Sequence, residues 1–163
     1  MDDLRTDLFD LLARAHDQLD RELARILIFL NQGDAAGATP RVRDLAAGLR
    51  RHIAAENEIL APYFATARSP SPSDPAAIML REHDDILSQL AMVESALDES
   101  APDAGEAAIY AGLLSGTLAK HEYREENNLF PQWRAVLKAA PEAERAELAA
   151  RLTAALEIQE DER

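Results

Sequence analysis

The sequence predicts an all-α protein: an antiparallel up-down-up-down four-helix bundle with an additional C-terminal helix. Three observations carry this. Apolar residues recur at steps of three and four along five stretches, the spacing of one helix face. Gly, Pro, Ser and Asp clusters separate the stretches, and these residues break helices and turn chains. The first four stretches also fall into two similar halves, each a helical hairpin, and two such hairpins can pack about a pseudo-two-fold axis.

In chain order, the first stripe runs through residues 4–30 with Leu4, Leu8, Leu11, Leu12, Leu19, Leu23, Ile26, Leu27 and Leu30, and Gly33 stops it. Thr39-Pro40 reads as an N-cap followed by a first-turn proline. The second stripe is Val42, Leu45, Leu49, His52, Glu56, Ile59, Leu60 and Tyr63, with Pro62 loosening the last turn and Ser69-Pro70-Ser71-Pro72 as a loop. Asp74-Pro75 starts the third stripe: Met79, Leu80, His83, Ile86, Leu87, Leu90, Val93 and Leu97. Asp103 with Glu106 resembles a capping box before the fourth: Ile109, Tyr110, Leu113, Leu114, Thr117, Leu118, His121, Glu125 and Leu129. Pro131 and Trp133 follow. Pro141 opens the last helix, to about Ile158, with Leu148, Leu152, Ala155 and Leu156 on a face that packs on the outside of the bundle.

A chain of 163 residues, 47% apolar and 29% charged, suits one domain over 1–163, with a bundle at about 4–135 and the extra helix at about 141–158. No apolar run approaches the roughly 20 residues that span a bilayer. The acidic start MDDLRTDLFD lacks the basic and apolar regions of a signal peptide. The absence of cysteine excludes disulfides, thiolate metal sites and cysteine nucleophiles, and fits a cytoplasmic protein. A net charge of −13 argues against nucleic acid and favours a soluble monomer or weak homo-oligomer.

The chemistry-bearing feature is a motif that occurs twice. His52, Glu56, Leu60 and Pro62 form one copy of His-x-x-x-Glu-x-x-x-Leu-x-Pro, and His121, Glu125, Leu129 and Pro131 the other. On a helix, residues i and i+4 share a face, so each copy presents an imidazole and a carboxylate side by side. His16 and His83 each sit alone on the preceding helix, followed by Asp17 and Asp84. A single histidine on an apolar face is ordinarily a hydrogen-bonded core residue. Here all four histidines of the chain lie on inward stripes, two with a carboxylate one turn on.

Burying such groups without a partner costs several kcal/mol, and a cation removes that cost. Imidazole with carboxylate suits iron, manganese or zinc rather than calcium or magnesium. Six ligands exceed one tetrahedral zinc and suit two metals, each with two histidines, bridged by the two carboxylates. The Glu-x-x-His pattern of ferritin-like di-iron proteins is absent.

The ordered set His, His-x-x-x-Glu, Glu-His, His-x-x-x-Glu resembles the hemerythrin-like HHE cation-binding domain family over about residues 4–135. The resemblance implies a non-heme di-iron centre, oxo- or hydroxo-bridged when oxidised, bound by His16, His52, Glu56, His83, His121 and Glu125, with the glutamates as bridges. Oxygen-carrying members have a further histidine four residues after the one on the third helix, where this chain has Leu87. They also end the fourth-helix motif with an aspartate, where it has Glu126. One ligand fewer opens a coordination position. The chain is in this respect more similar to members of the iron-centre-repair and nitric-oxide-stress type, which often carry an N-terminal cysteine-containing segment.

The implied function is a di-iron protein that binds or reacts with dioxygen, peroxide or nitric oxide, which leaves oxidoreductase turnover open. The alternatives are an iron or oxygen sensor and an iron-delivery or iron-centre-repair protein. Around the six residues, Glu82 and Glu126 are placed either to hold histidine N–H groups or on solvated faces. Tyr63 and Tyr110 either line a channel or pack in the core, and Asp17, Asp84 and Asp85 are surface charges.

Overall fold

The computed structural model describes residues 7–65, 71, 73–98 and 100–157. Its elements are α1 (Leu8–Asn31), α2 (Ala35–Ala55), a π-helical turn π1 (Glu56–Leu60), α3 (Ala61–Phe64), α4 (Pro75–Ala96), α5 (Ala104–Arg124), a second π-helical turn π2 (Glu125–Leu129), α6 (Phe130–Lys138) and α7 (Glu142–Glu157). No strand occurs among the described residues, so the fold is all-α. The expected helix start at Leu4, most of the Ser69–Pro72 break and the expected end at Ile158 lie outside the described residues.

Each long helix starts on an aspartate. Asp7 accepts from the Phe9 N–H and Asp74 from the Ala76 N–H, while Asp34 accepts from Gly37 and Asp103 from Glu106. A carboxylate there satisfies an orphan N–H and meets the positive end of the helix dipole. The caps follow the internal repeat: Asp7 and Asp74 are 67 residues apart, as are His16 and His83, while Asp34 and Asp103 are 69 apart, as are His52 and His121. α1 ends in a Schellman motif, with Asp34 N–H on the Phe29 carbonyl at 2.9 Å and Gly33 N–H on that of Leu30 at 3.0 Å. Gly33 has φ 76°, the left-handed conformation that favours glycine.

Two start signals are displaced. Thr39 is not an N-cap: Asp34, next in line after the Schellman turn, starts α2 earlier, so Pro40 lies inside the helix and the Thr39 hydroxyl donates to the Ala35 carbonyl at 2.8 Å. The capping box at Asp103 is half made, because the Asp103 N–H goes to the Ala96 carbonyl and Glu106 instead accepts from the Tyr110 hydroxyl.

Both motif copies widen into a π turn that begins at the glutamate. The Ala61 N–H reaches back five residues to the Glu56 carbonyl, and the Phe130 N–H to that of Glu125. The prolines supply the cause. Pro62 and Pro131 have no N–H, and in an α-helix each ring would press on the carbonyl four residues back, at Glu58 or Asn127. The wider turn moves that carbonyl away, so the helix loosens without breaking. Two residues after each proline stand Phe64 and Trp133, repeat mates whose rings stack at 4.8 Å and 9°.

Two apolar cores follow. One joins Leu23, Ile26 and Leu30 of α1 to Leu45 and Leu49 of α2, Ile86 and Leu90 of α4, and Leu114 and Leu118 of α5. The other joins Leu8, Phe9 and Leu12 to Leu60, Met79, Leu129, Phe130 and Trp133. α7 is more than an outer helix: it contacts α2 and π1 and buries Leu148 and Leu152 in the second core. The long helices contact in a closed cycle, α1 with α2, α2 with α4, α4 with α5 and α5 with α1, which is compatible with a bundle. No helix among the described residues is long and apolar enough to cross a membrane.

The fourth stripe is rotated from its expected face. Ile109 and Leu113 are 72% and 53% exposed, because Ala107, Ala111, Leu114 and Leu118 take the inward arc that also carries His121 and Glu125. Leu80 on α4 is likewise largely exposed.

Leu90 is fully buried in the first core and Val136 is 59% exposed on α6. Leu90→Ala is expected to lower unfolding stability by about 2–5 kcal/mol and Val136→Ala by less than about 0.5 kcal/mol, read from urea midpoints.

Candidate metal centre

Between the two cores, every long helix changes from apolar to polar for about one turn. α1 contributes His16, α2 with π1 His52 and Glu56, α4 His83, and α5 with π2 His121 and Glu125. All six residues are buried, with none more than 3% exposed. The six residues expected from the motifs thus converge in one layer.

Their geometry divides into two sets that share both carboxylates. His16, His52, Glu56 and Glu125 form one, and His83, His121, Glu56 and Glu125 the other, each with one atom per residue lying within 4.8 Å of the others. The Nε2 atoms of His16 and His52 are 3.0 Å apart, and those of His83 and His121 3.2 Å. Glu56 points Oε1 at His52 Nε2 and Oε2 at His83 Nε2, both at 3.2 Å. Glu125 points Oε2 at His16 Nε2 at 3.2 Å and Oε1 at His121 Nε2 at 3.1 Å. Each carboxylate therefore divides its two oxygens between the two histidine pairs.

These approaches are at ion-pair distance but lack hydrogen-bond direction: all four carboxylate oxygens are buried without a hydrogen-bond partner among the described residues. Each carboxylate also lies within 4.8 Å of the facing nitrogens of both histidine pairs. Donors that hold one ion at about 2.1 Å, at right angles, lie about 3 Å apart, which matches the spacing observed. Four orphaned oxygens in an apolar interior are a large desolvation burden, and a cation is the group that relieves it. The donor set of imidazole and carboxylate suits iron, manganese or zinc.

Without metal, the charges balance among themselves. Burial opposes a charged His16, but contact with Glu125 and the charges of Glu56, Glu125 and Glu122 outweigh it and raise its pKa to about 10. His83 rises to about 9 in the same way, burial being outweighed by Glu125 and Glu56. Burial and the charge of Glu125 push Glu56 up, but His52 and His83 prevail and hold it at about 2. Glu125 is held well below the usual carboxylate range by His121, His16 and His83 against the effect of burial.

The outward nitrogens are oriented by neighbours. His16 Nδ1 meets Glu126 Oε1 at 2.9 Å, His121 Nδ1 meets Glu82 Oε2 at 3.0 Å, and His83 Nδ1 meets Asn57 Oδ1 at 2.6 Å. A partner of this kind fixes the tautomer that turns Nε2 inward. Glu82 also pairs with Arg124. Glu82 and Glu126 are thus imidazole partners, and Asn57 is one that motif reading misses. The repeat register could have found it, since Asn57 is 69 residues before Glu126. His52 Nδ1 has no partner among the described residues, and the repeat mate of Glu82 is Ala15.

Glu122 is a second residue the motifs miss. It is 6% exposed, and burial first, then Asp20, raise its pKa to about 8 against the pull of His16 and His121. It lies one residue round the helix from His121, so no i+4 spacing marks it. Tyr110 bonds Glu106 and Tyr63 packs edge-on against Phe64, both half-buried. Asp17, Asp84 and Asp85 are exposed. A cavity of about 70 Å³ reaches Glu125 between α4 and π2, walled by Ile78, Met79 and Leu129 and flanked by Glu82 and Arg124.

Comparison with known proteins identifies the family. The model of the hemerythrin HHE cation-binding domain matches residues 7–133. An iron–sulfur cluster repair protein YtfE of Musicola paradisiaca (strain Ech703) is 27% identical over 137 residues, covering 75% of this chain and 62% of that protein. Another protein of that name, from Dickeya chrysanthemi (strain Ech1591), is 23% identical with the same coverage. The chain therefore spans about 62% of the length of these curated relatives. No solved structure matches the chain. With the match extending over well more than half of its length, and the four histidines and two glutamates inside it, the chain belongs to the hemerythrin HHE cation-binding domain family.

Proposed function

We propose that the protein is a cytoplasmic non-heme di-iron protein that binds or reacts with a small ligand, dioxygen, peroxide or nitric oxide. His16 and His52 hold one iron, His83 and His121 the other, and Glu56 and Glu125 bridge them. The division of each buried carboxylate between the two histidine pairs carries this reading. In it, residues 1–163 form one domain whose four long helices run antiparallel, up-down-up-down, with α7 as the additional helix.

Iron at this centre would supply redox capacity and coordination positions open to a diatomic or peroxide ligand. The chain's own residues shape what reaches it. Ile86 and Leu118 on one side and Leu12 and Leu60 on the other exclude water. Leu87, half-buried at the edge of the first core one turn after His83, adds apolar surface where oxygen carriers place another imidazole. Glu126, Glu82 and Asn57 hold three imidazoles with Nε2 inward.

A second reading is iron delivery or iron-centre repair, supported by the name that the two relatives share, iron–sulfur cluster repair protein. Peroxide or nitric oxide consumption by the iron-loaded protein supports the first reading. Transfer of its iron to a metal-free acceptor, without consumption, supports the second.

Metal analysis of anaerobically purified protein is expected to give two iron ions per chain. Glu56→Gln is expected to weaken both sites together, whereas His52→Ala lowers metal content and thermal midpoint in parallel, because metal bound to the folded state stabilises it. Loss of one ion with the second held at full affinity in Glu56→Gln would show that the carboxylate does not bridge.

Protons compete with metal for the same atoms, and the sign follows from the pKa directions. Glu56 falls from 4.5 to about 2, so its contribution to stability is full above pH 4.5 and is lost as pH drops through about 2. His16 and His83 rise from 6.5 to about 10 and 9, so theirs is full below pH 6.5 and is lost as pH climbs through 9 to 10. Glu122 is raised from 4.5 to about 8, so it costs stability as pH climbs above 4.5, and the metal-free protein is therefore expected to melt highest near pH 4.5. Loading at pH 7.5 is expected to release about two protons per chain, measured by calorimetry in buffers of different ionisation enthalpy.

A further inference from the structure

The geometry points to a second copy of this chain as the partner of the outer face of α5, in a symmetric antiparallel dimer. The face is unusual for so charged a protein. With 29% charged residues overall, the chain carries none from Ala107 to Ala119, its longest uncharged run. α5 buries one side of that run through Ala107, Ala111, Leu114 and Leu118. The other side faces solvent, with Ile109 72%, Leu113 53% and, about one turn beyond the run, Tyr123 66% exposed. A helix apolar on both sides is a helix with neighbours on both sides.

Glycines alternate with these residues. Gly112 and Gly116 are exposed in the helix interior, where glycine is among the poorest helix formers. A Cβ added at either would meet nothing within 4 Å, so no packing inside the chain requires them. Gly37 shows the contrast: there a Cβ would lie 2.8 Å from the Phe29 ring. What Gly112 and Gly116 permit is the close approach of something outside.

Spacing and charge select the occupant. Let a second α5 lie antiparallel, with a two-fold axis between Gly112 and Leu113. Ile109 of each copy then stands opposite Gly116 of the other, so the most exposed side chain of the face meets a hole, and the two Leu113 side chains pack on each other beside the axis. Lys120, which has no ion pair among the described residues, falls opposite Gly105 and beside the Glu106 carboxylate, twice by symmetry. The same patch on both copies, self-complementary in shape and charge, is what a two-fold interface requires. One helix pair buries less than a standard interface, and the net charge of −13 on each chain opposes association, so the dimer is a weak one.

Sedimentation equilibrium of the full chain from about 10 µM to about 1 mM, at an ionic strength of about 0.15 M where screening reaches about 8 Å, tests this. The expected result is a monomer–dimer equilibrium weakened at least tenfold by Leu113→Asp and by Gly116→Leu, with the urea midpoint lowered by neither, because both positions face solvent and replacing a glycine inside a helix favours the helix. The native chain has no cysteine, so Leu113→Cys should form a disulfide-linked dimer under mild oxidation more readily than Val136→Cys, an equally exposed position on α6. A monomer throughout the range overturns the proposal. A dimer that both α5 substitutions leave intact, or equal cross-linking at positions 113 and 136, also overturns it by placing the contact elsewhere.

Discussion

Two carboxylates and four imidazoles share one dry layer of this protein, and the rest of the architecture is built to tolerate them. Glu56 and Glu125 are fully desolvated, with every oxygen aimed at a histidine nitrogen. Either could be removed alone only by leaving the opposing imidazoles uncompensated, which is the costly way to break a buried charge set. The apolar cores on each side supply the rigidity. Leu12 and Leu60 close the layer from one end and Ile86 and Leu118 from the other, so the polar groups cannot relax toward water.

The internal repeat explains how four helices deliver these groups in register. α2 and α5 are equal in length and related by a shift of 69 residues, and the repeat includes the aspartate cap, the histidine, the glutamate, the π turn and the proline. The cap fixes where each helix begins, and the His-x-x-x-Glu spacing fixes which face turns inward. The proline then sets where the face may rotate, so that Leu60 and Phe64, or Leu129 and Trp133, enter the second core below the polar layer. A plain α-helix would hold the motif but would meet the proline ring badly.

Four polar residues of the layer were legible because an i+4 pair on an apolar stripe has one geometric meaning, and His16 and His83 because each interrupts an apolar stripe at the same place in the repeat. The helices were legible for the same reason, and the aspartates at positions 74 and 103 marked their starts. Less legible was anything decided by a competition between local signals. Thr39-Pro40 carries a good start signal, yet Asp34 lies closer to the preceding turn and wins. Ile109 and Leu113 have the hydropathy of core residues, but alanines occupy the inward arc, and small residues announce burial weakly. Glu122 and Asn57 depend on which neighbouring helix passes by, which no pattern within one helix records.

The duplication is faithful in position and unfaithful in charge. Asn57 stands behind His83 where its repeat mate Glu126 stands behind His16, and Ala15 is found where the mate of Glu82 would support His52. Glu82 is itself neutralised by Arg124, whereas Glu126 remains 40% exposed. A carboxylate behind an imidazole makes it a stronger donor, and an amide or a methyl group does not. Two cations in mirrored places would therefore sit in unequal fields, the one beside His16 in the more negative. Symmetry of scaffold is thus joined to asymmetry of field, and the half nearer Glu126 would hold a cation the more tightly.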